Sequence, residues 1–344
     1  MVNFVTLAAL NPPFQIIGQG LAGTCLAWAL FERDVPFELL DRELGGSSRV
    51  AAGLINPVTG KRFEPSWRID EFLPEAIAFY ESLERRLGER FWHPLPVIRL
   101  TTDRKDRAKA EAKLNDPAVR PWLAGEVFPP SGDWSGAFEL RGGGRLDVRA
   151  LLDASRKFFQ ERGVYRLAEA DPDESFHGER IWCEGASGLL TGKLGTHRCA
   201  KGEILTVRAI GWSEPRILIG GGGWLVPVGG DRYKAGATYD WDRLDEAPTE
   251  EGRAKVEAIL RRLVPGSFEV VDHEAGVRPI LRRSQPLIGK IGDEWFFNGL
   301  GSKGSLYAPG VARRLASWLI DGIEPEADFN LTDFLNRNAT DEPV

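Results

Sequence analysis

The chain has 344 residues, 42% of them hydrophobic and 27% charged, enough to bury the core of one large domain or two interleaved ones. Its net charge of −6 comes from 44 basic and 50 acidic residues with no Lys/Arg run, which argues against nucleic-acid binding through a basic patch and against a polybasic membrane footprint. Cys25, Cys183 and Cys199 and four scattered histidines lack metal-ligand spacing, so no metal is expected and the cysteines read as reduced, structural residues of a cytoplasmic protein.

Met1 to Leu10 is mildly apolar but carries no Lys or Arg, unlike a secretory leader, and no apolar run is long enough for a transmembrane helix. After Pro12-Pro13, Phe14-Gln15-Ile16-Ile17 reads as a short buried parallel strand. The turn Gly18-Gln19-Gly20-Leu21-Ala22-Gly23 follows, then a helix over Leu21 to Arg33 with small and apolar residues at helical spacing. Val35-Pro36 leads into a second strand, Phe37 to Leu40, closed by Asp41. This is one complete βαβ unit.

Each glycine of the turn has a mechanical reason. Gly18 permits the tight turn, Gly20 lets a pyrophosphate approach the backbone, and Gly23 lets helix and strand pack closely. The N–H groups of Leu21 and Ala22 then open the helix with a partial positive charge towards the phosphates. Asp41 ends the second strand, where an acid accepts hydrogen bonds from ribose hydroxyls. A glycine turn without a ligand is the structural alternative. The residues up to this point indicate a dinucleotide, and a nicotinamide-dependent dehydrogenase accounts for them as well as a flavoprotein does.

Further along, residues 45–61 are loop-like and rich in Gly and Ser. Helices are expected near Asp70 to Leu87 and Arg104 to Leu114, with a strand near Pro94 to Leu100 between them. Gly142-Gly143-Gly144 precedes an amphipathic helix reaching about Arg162, and Ile181 to Ala186 reads as a short strand ending in glycine. From Gly202 to Tyr239 the pattern predicts strands at Glu203–Arg208, Arg216–Ile219, Gly223–Val228 and Tyr233–Thr238, an antiparallel arrangement rather than further βαβ units. A helix over Thr249 to Leu263, strands near Phe268 to His273 and Trp295 to Phe297, and a last helix from Pro309 to Ile320 complete the chain.

Six segments, in order, carry a family resemblance. They are the glycine turn, the segment from Ser47-Ser48-Arg49 to Asn56-Pro57, Glu184-Gly185-Ala186-Ser187-Gly188, Lys201-Gly202-Glu203-Ile204, Gly276-Val277-Arg278-Pro279 with Pro286-Leu287-Ile288-Gly289, and Gly299-Leu300-Gly301-Ser302-Lys303-Gly304. Together they resemble the D-amino-acid oxidase superfamily of FAD-dependent amine oxidoreductases, which includes glycine and sarcosine oxidases. The stretch from Asn56 to Arg62 is also similar to the flavin domain of the bifunctional tRNA wobble-uridine modification enzyme.

The resemblance implies an α/β fold in which a Rossmann-type FAD-binding domain (1–65, 140–200 and 274–344) is interleaved with a substrate domain on a mixed or antiparallel sheet (66–139 and 201–273). It implies FAD bound by Gly18, Gly20, Leu21, Ala22, Gly23, Asp41 and Arg42, by Ser47, Ser48, Arg49, Ala52 and Gly53, by Gly185, and by Gly299, Gly301, Ser302, Lys303 and Gly304. No cysteine accompanies the C-terminal glycine loop, so the flavin is expected to be non-covalent. Arg278 is the expected grip for a substrate carboxylate, because a planar guanidinium matches it bidentately; a structural arginine held by a nearby acid or carbonyls is the alternative. Lys303 is expected beside the flavin pyrimidine ring, countering charge on the reduced ring or holding a carboxylate, against a solvated loop lysine. Arg49 or Arg62 is a further carboxylate candidate, Lys61 reads as a surface residue, and Tyr239 and Trp224 are candidates to wall the pocket or to belong to the core.

The activity so implied is oxidation of the C–N bond of a small carboxylate-bearing amino acid or secondary amine, by hydride transfer to flavin N5. Oxygen or another carrier is the electron acceptor. The alternatives are oxidation of a carboxymethylaminomethyl-type group on tRNA, which the acidic charge opposes, and a flavin-binding protein without turnover.

Overall fold

The computed structural model of the protein describes residues 13–43, 45–130, 134–171, 176–264, 266–281 and 285–340. The leader reading of Met1 to Leu10 concerns residues outside them. Among the described residues no helix is long and apolar enough to cross a membrane.

Two large sheets organise the molecule. The first has six strands in the order Tyr165–Leu167, Phe37–Asp41, Phe14–Ile17, Glu179–Trp182, Glu294–Asn298, Leu287–Ile291. Its first five are parallel and the sixth is antiparallel. All four residues of Phe14–Ile17 are buried, as the unbroken apolar run requires of a central parallel strand. The helix Leu21–Phe31 is buried nearly all round, which explains why it lacks an amphipathic stripe. It is sandwiched between this sheet and the last long helix, Gly304–Asp321.

The second sheet has eight strands in the order Ser267–Arg278, Ala200–Ile210, Arg232–Gly236, Gly223–Gly229, Ile217–Gly220, Val97–Thr101, Gly136–Leu140, Leu123–Val127. Every pair is antiparallel, as the strand spacing predicts, except Ile217–Gly220 with Val97–Thr101, whose parallel pairing makes the sheet mixed. The helix Glu250–Leu263 covers one face of it with Val256, Leu260 and Leu263. The opposite face, beside residues 45–56, bounds a cavity.

Several elements differ from the sequence expectation. Within the loop-like stretch after Gly45 the chain forms a short helix, Ser47–Val50, and two-residue strands. Leu123–Val127 and Gly136–Leu140 are strands without a strong sequence signal; the first shifts register between Leu123 and Gly125 (φ +146°). The last long helix begins at Gly304 rather than at Pro309. Proline lacks the N–H that would bond the Ser305 carbonyl, a gap that ordinarily breaks a helix. Here the Tyr80 hydroxyl donates to that carbonyl at 2.7 Å from the neighbouring helix Ile69–Leu87, so the helix runs through.

Candidate active site

The turn after Phe14–Ile17 is built as its glycines require. The Gly18 N–H donates to the Leu40 carbonyl at 2.8 Å, with φ +101°, and a Cβ there would sit 2.8 Å from the Cys183 carbonyl oxygen. At Gly23 a Cβ would come within 1.9 Å of the Gly18 carbonyl oxygen, so the helix can pack this closely only without one. Ser48 reaches across from the next loop and accepts from the Leu21 N–H at 3.2 Å. Asp41 accepts from the Gln19 N–H at 3.1 Å and stands 3.4 Å from both Arg156 and the Tyr165 hydroxyl. Burial, then the Asp41 carboxylate, push the Tyr165 hydroxyl up to about 12.

These residues open onto a cavity of about 560 Å³. Its walls include Gly18, Gly20, Leu21, Ala22, Asp41, Arg42, Ser47, Ser48, Arg49, Ala52, Gly53, Gly185, Gly301, Ser302, Lys303 and Gly304, with Tyr239, Trp224 and Arg278 on the large sheet. Gly23 and Gly299 stand behind the wall. Gly299 has φ +82°, and a Cβ there would meet Leu281 at 2.5 Å, so its glycine serves chain packing. Arg62 is exposed and outside the wall, carried away by the turn at Gly60, as is Lys61.

The sheet's contribution follows from register. Residues directly opposite each other across strands share a face, and that face alternates along each strand. Ala200 faces Arg278, Gly202 faces Gly276, Ile204 faces Gly236, and Gly236 faces Trp224. Gly202, Ile204, Trp224, Gly276 and Arg278 therefore lie on one face, the one that lines the cavity. The glycines hollow it out. A Cβ on Gly202 would lie 2.0 Å from the Arg278 guanidinium, so Gly202 is the space in which that group rests.

Arg278 donates through Nη1 to the Thr238 carbonyl at 3.1 Å and more weakly to Lys201 at 3.4 Å, and its guanidinium stacks on Tyr239 at 4.1 Å. No carboxylate among the described residues pairs with it. Burial pushes its pKa below the ordinary arginine value, with Tyr239 opposing. Lys303 caps the helix Gly304–Asp321, whose first turn has no acidic residue. Among the described residues its ammonium reaches two hydroxyls, Thr59 at 3.3 Å and Ser66 at 3.2 Å, and burial lowers its pKa. Desolvated cations that meet carbonyls and hydroxyls but no acidic partner are a usual mark of a site for an external anion.

The loop carrying Ser47 to Asn56 is pinned to the sheet. Lys234 donates to the Val50 carbonyl at 2.9 Å and meets Glu274 at 3.3 Å, and Glu246 accepts from the Gly46 N–H at 3.0 Å. Burial lowers the Lys234 pKa, against the pull of Glu274. Three buried polar atoms of wall residues have no partner among the described residues: Arg49 Nη2, Asn56 Oδ1 and the Trp182 indole N–H. Orphaned donors and an acceptor around a glycine cradle fit a large polar cofactor. Among the described residues no cluster of His, Cys, Asp and Glu is arranged to hold a metal ion.

Sequence reasoning did not reveal Gly202 as the seat for Arg278, nor Thr59 and Ser66 as the partners of Lys303. The signal for Gly202 was present in Lys201-Gly202-Glu203, but its meaning depends on strand register. Glu246 and Lys234 left no local signal, because each acts on a segment distant in sequence.

A nucleotide cradle facing buried cations, without a Ser/His or His/Asp set, is the arrangement of enzymes that leave the chemistry to a bound redox cofactor. The chain belongs to the FAD dependent oxidoreductase (DAO) family, whose sequence model matches residues 15–318. It is an FAD-dependent oxidoreductase. Over 350 aligned positions it is 25% identical to the tRNA 5-methylaminomethyl-2-thiouridine biosynthesis bifunctional protein MnmC of Marinobacter nauticus, covering 88% of this chain and 55% of that protein. The chain thus spans about half the length of these bifunctional relatives. The glycine oxidase structure from Geobacillus kaustophilus superimposes with a TM-score of 0.76 at 20% identity, over 94% of this chain and 97% of that one. The iminodiacetate oxidase structure from a Chelativorans species gives 0.74 at 20% identity, over 91% and 96%.

Proposed function

We propose that this enzyme oxidises the C–N bond of an amino acid or secondary amine that bears a carboxylate, with FAD held non-covalently in the cavity. The observation that carries this reading is Arg278, a partly buried guanidinium without an acidic partner among the described residues, seated in the hollow of Gly202 and facing the cavity. A substrate carboxylate docked there replaces water with a bidentate charged partner and fixes the carbon that must lose its hydride. Bound in the cradle, FAD supplies the two-electron acceptor for that hydride. The amine leaves as an imine, which water hydrolyses. Electrons then pass to oxygen or to another carrier.

The cradle residues proposed to hold the cofactor are Gly18, Gly20, Leu21 and Ala22 of the turn, Asp41 and Arg42, the loop Ser47 to Gly53, Gly185, and Gly301 to Gly304, with Gly23 and Gly299 shaping the backbone behind them. Lys303, at a helix N-terminus with its ammonium desolvated, is proposed to counter charge on the reduced ring. Cys183 lines the cavity, but burial raises its thiol pKa and keeps it protonated, in keeping with a flavin that is not tethered. The domain division proposed is an FAD-binding domain of 1–65, 140–200 and 274–344 around a substrate domain of 66–139 and 201–273. The boundary at 273 falls inside the strand Ser267–Arg278, which hands Arg278 to the cavity.

The test is an anaerobic screen of amino acids and N-alkyl glycines for bleaching of the flavin absorbance. Bleaching by a carboxylate-bearing amine, and none by its amide, supports the reading; no bleaching by any amine sinks it. A second reading, oxidation of a carboxymethylaminomethyl group on tRNA, draws on the names of the bifunctional relatives, which align over most of this chain. That group is itself an N-substituted glycine, so Arg278 serves both readings. Bleaching by tRNA bearing the group, with small amines inert, decides for the second.

A further inference from the structure

The end of the cavity at the strand Phe37–Asp41 is braced from behind by a residue that does not line it. Arg156 lies on the helix Val148–Gln160, and its side chain is only 13% exposed. Its guanidinium spends three nitrogens on three partners. Nε donates to Gln19 Oε1 at 3.0 Å, Nη2 approaches Asp41 Oδ2 at 3.4 Å, and Nη1 donates to Glu43. The fork also lies over the Tyr165 ring, 5.5 Å from its centroid. Gln19, Asp41 and Glu43 belong to the cavity wall, whereas Arg156 stands outside it.

Gln19 stands between the first two glycines of the turn, a position where the glycine pattern asks for no particular side chain. In this chain it is buried and clasped: its Nε2 donates to the Leu152 carbonyl at 2.7 Å, one turn before Arg156 on the same helix, while Oε1 takes Arg156 Nε. Its N–H donates to Asp41 Oδ1 at 3.1 Å. Turn, helix and strand end thus form one hydrogen-bonded unit around the Asp41 carboxylate. The Tyr165 hydroxyl completes it, 3.4 Å from Oδ2 and kept protonated by a pKa of about 12. Arg42, next to Asp41 in sequence, is turned to Glu169 at 3.6 Å, so among the described residues Arg156 is the cation that meets Asp41. A carboxylate has about four lone-pair sites, and these contacts leave acceptor capacity on the side where Asp41 lines the cavity.

Resting on the cofactor site proposed above, we infer that Arg156 is a positioning residue for the cofactor: acting through Asp41 and Gln19, it fixes the carboxylate that accepts from the hydroxyls of the adenosine ribose. The helix Val148–Gln160 thereby sets the strand end against the glycine turn before any ligand arrives. Released from Arg156, the Asp41 carboxylate is free to turn about its side-chain torsions, and ordering it again falls as a cost on binding. That cost bears on the ribose hydroxyls alone, because they are the donors that Asp41 would meet.

The experiment titrates the full chain, stripped of flavin, with FAD and with the analogue whose adenosine ribose lacks both hydroxyls, reading Kd from the change in flavin fluorescence. Wild type is expected to prefer FAD by roughly tenfold or more, as hydrogen bonds to a charged acceptor imply. Arg156→Gln should weaken FAD and leave the analogue nearly unchanged, so that the preference drops to about threefold or less. Equal weakening of both ligands overturns the inference, since that is what a merely structural role in the turn produces. So does a wild-type chain that binds both ligands equally. If Arg156→Gln does not fold, Arg156→Lys, which keeps the charge without the fork, takes its place: a preference lowered severalfold supports the positioning role, and an unchanged one overturns it. A wild-type chain that binds neither ligand removes the cofactor site itself, a failure of the proposed function and not of the brace alone.

Discussion

Arg278 and Gly202 act as one unit, because the guanidinium occupies the volume that a Cβ at position 202 would need. The colliding atoms are at the far end of a flexible side chain, so Gly202→Ala should fold and displace Arg278 rather than break the sheet. Hydrogen bonds to charged groups contribute about 1.5–3 kcal/mol, which predicts a rise in KM for a carboxylate-bearing amine of roughly ten- to a hundredfold. Arg278→Ala should match it, and both proteins should stay yellow with a melting temperature near that of wild type. An unchanged KM in Gly202→Ala would show that Arg278 grips nothing there. Lys303 makes a prediction of the opposite kind. Its pKa is lowered by burial, so below that lowered value the charged form is carried at a cost in the folded state. Between the lowered value and 10.5 the unfolded chain holds the proton that the folded chain has lost, so its contribution to stability rises with pH through that window. Lys303→Met should therefore stabilise the flavin-free protein at neutral pH while lowering kcat, and its gain should shrink as pH climbs through the same window. Thermal melts of wild type and variant across that range are the check. Arg278 and Lys303 were legible in the sequence through the segments that carry them, whereas the reasons they matter were not. Partnerless charge is a property of three-dimensional surroundings.

The elements show where local pattern suffices and where it fails. The βαβ unit from Phe14 to Asp41 is visible in sequence because its strand, turn and helix are contiguous, and the structure keeps its bounds almost unchanged. The helix Gly304–Asp321 is the counterexample: its first turn, before Pro309, reads as loop, and the residue that lets the helix run through the proline, Tyr80, lies far away in sequence. Tyr80 is fully buried, and that burial pushes its hydroxyl far above the ordinary tyrosine range, so it remains a donor. Tyr80→Phe leaves the Ser305 carbonyl without a donor, at an expected cost of about 1–3 kcal/mol. The first turn of that helix carries Gly304, Ser305 and Leu306 into the cavity wall, so loosening it should also weaken flavin retention. Denaturant melts together with a flavin dissociation assay test both effects. A loss of stability with flavin affinity unchanged would show that the proline region is structural only.

At the scale of the whole molecule, the cavity takes its walls from both sheets and from the loop between them, so no single stretch of sequence contains the site. The fold class and most of the glycine segments that line the cavity were legible because each segment is short and ordered along the chain. The pairing of Gly202 with Arg278 and the pinning of the loop by Lys234 and Glu246 depend on contacts across long separations. The protein carries a net charge of −6, yet Arg49, Arg278 and Lys303 place positive charge at the cavity wall. The same wall also carries Asp41, Glu43, Glu169, Glu184 and Glu246, so its charge is mixed: the net negative charge repels polyanions at a distance, and the proposed hold on a small carboxylate is the local one of Arg278. The shared walls also dictate where cofactor binding is felt. A ligand at a hundred times its Kd adds about 2.7 kcal/mol to the bound state. Because the orphaned groups of Arg49, Asn56 and Trp182 line the cavity, that energy is delivered to the loop and to the strand Glu179–Trp182. The edge strand Leu123–Val127 lies outside the cavity wall. Hydrogen exchange on the flavin-free and flavin-loaded protein should accordingly show protection gained across residues 45–56, and little gained in that edge strand beyond its share of global stability. Equal protection in the two regions would mean that the flavin does not sit against the loop, and would remove the cradle assignment with it.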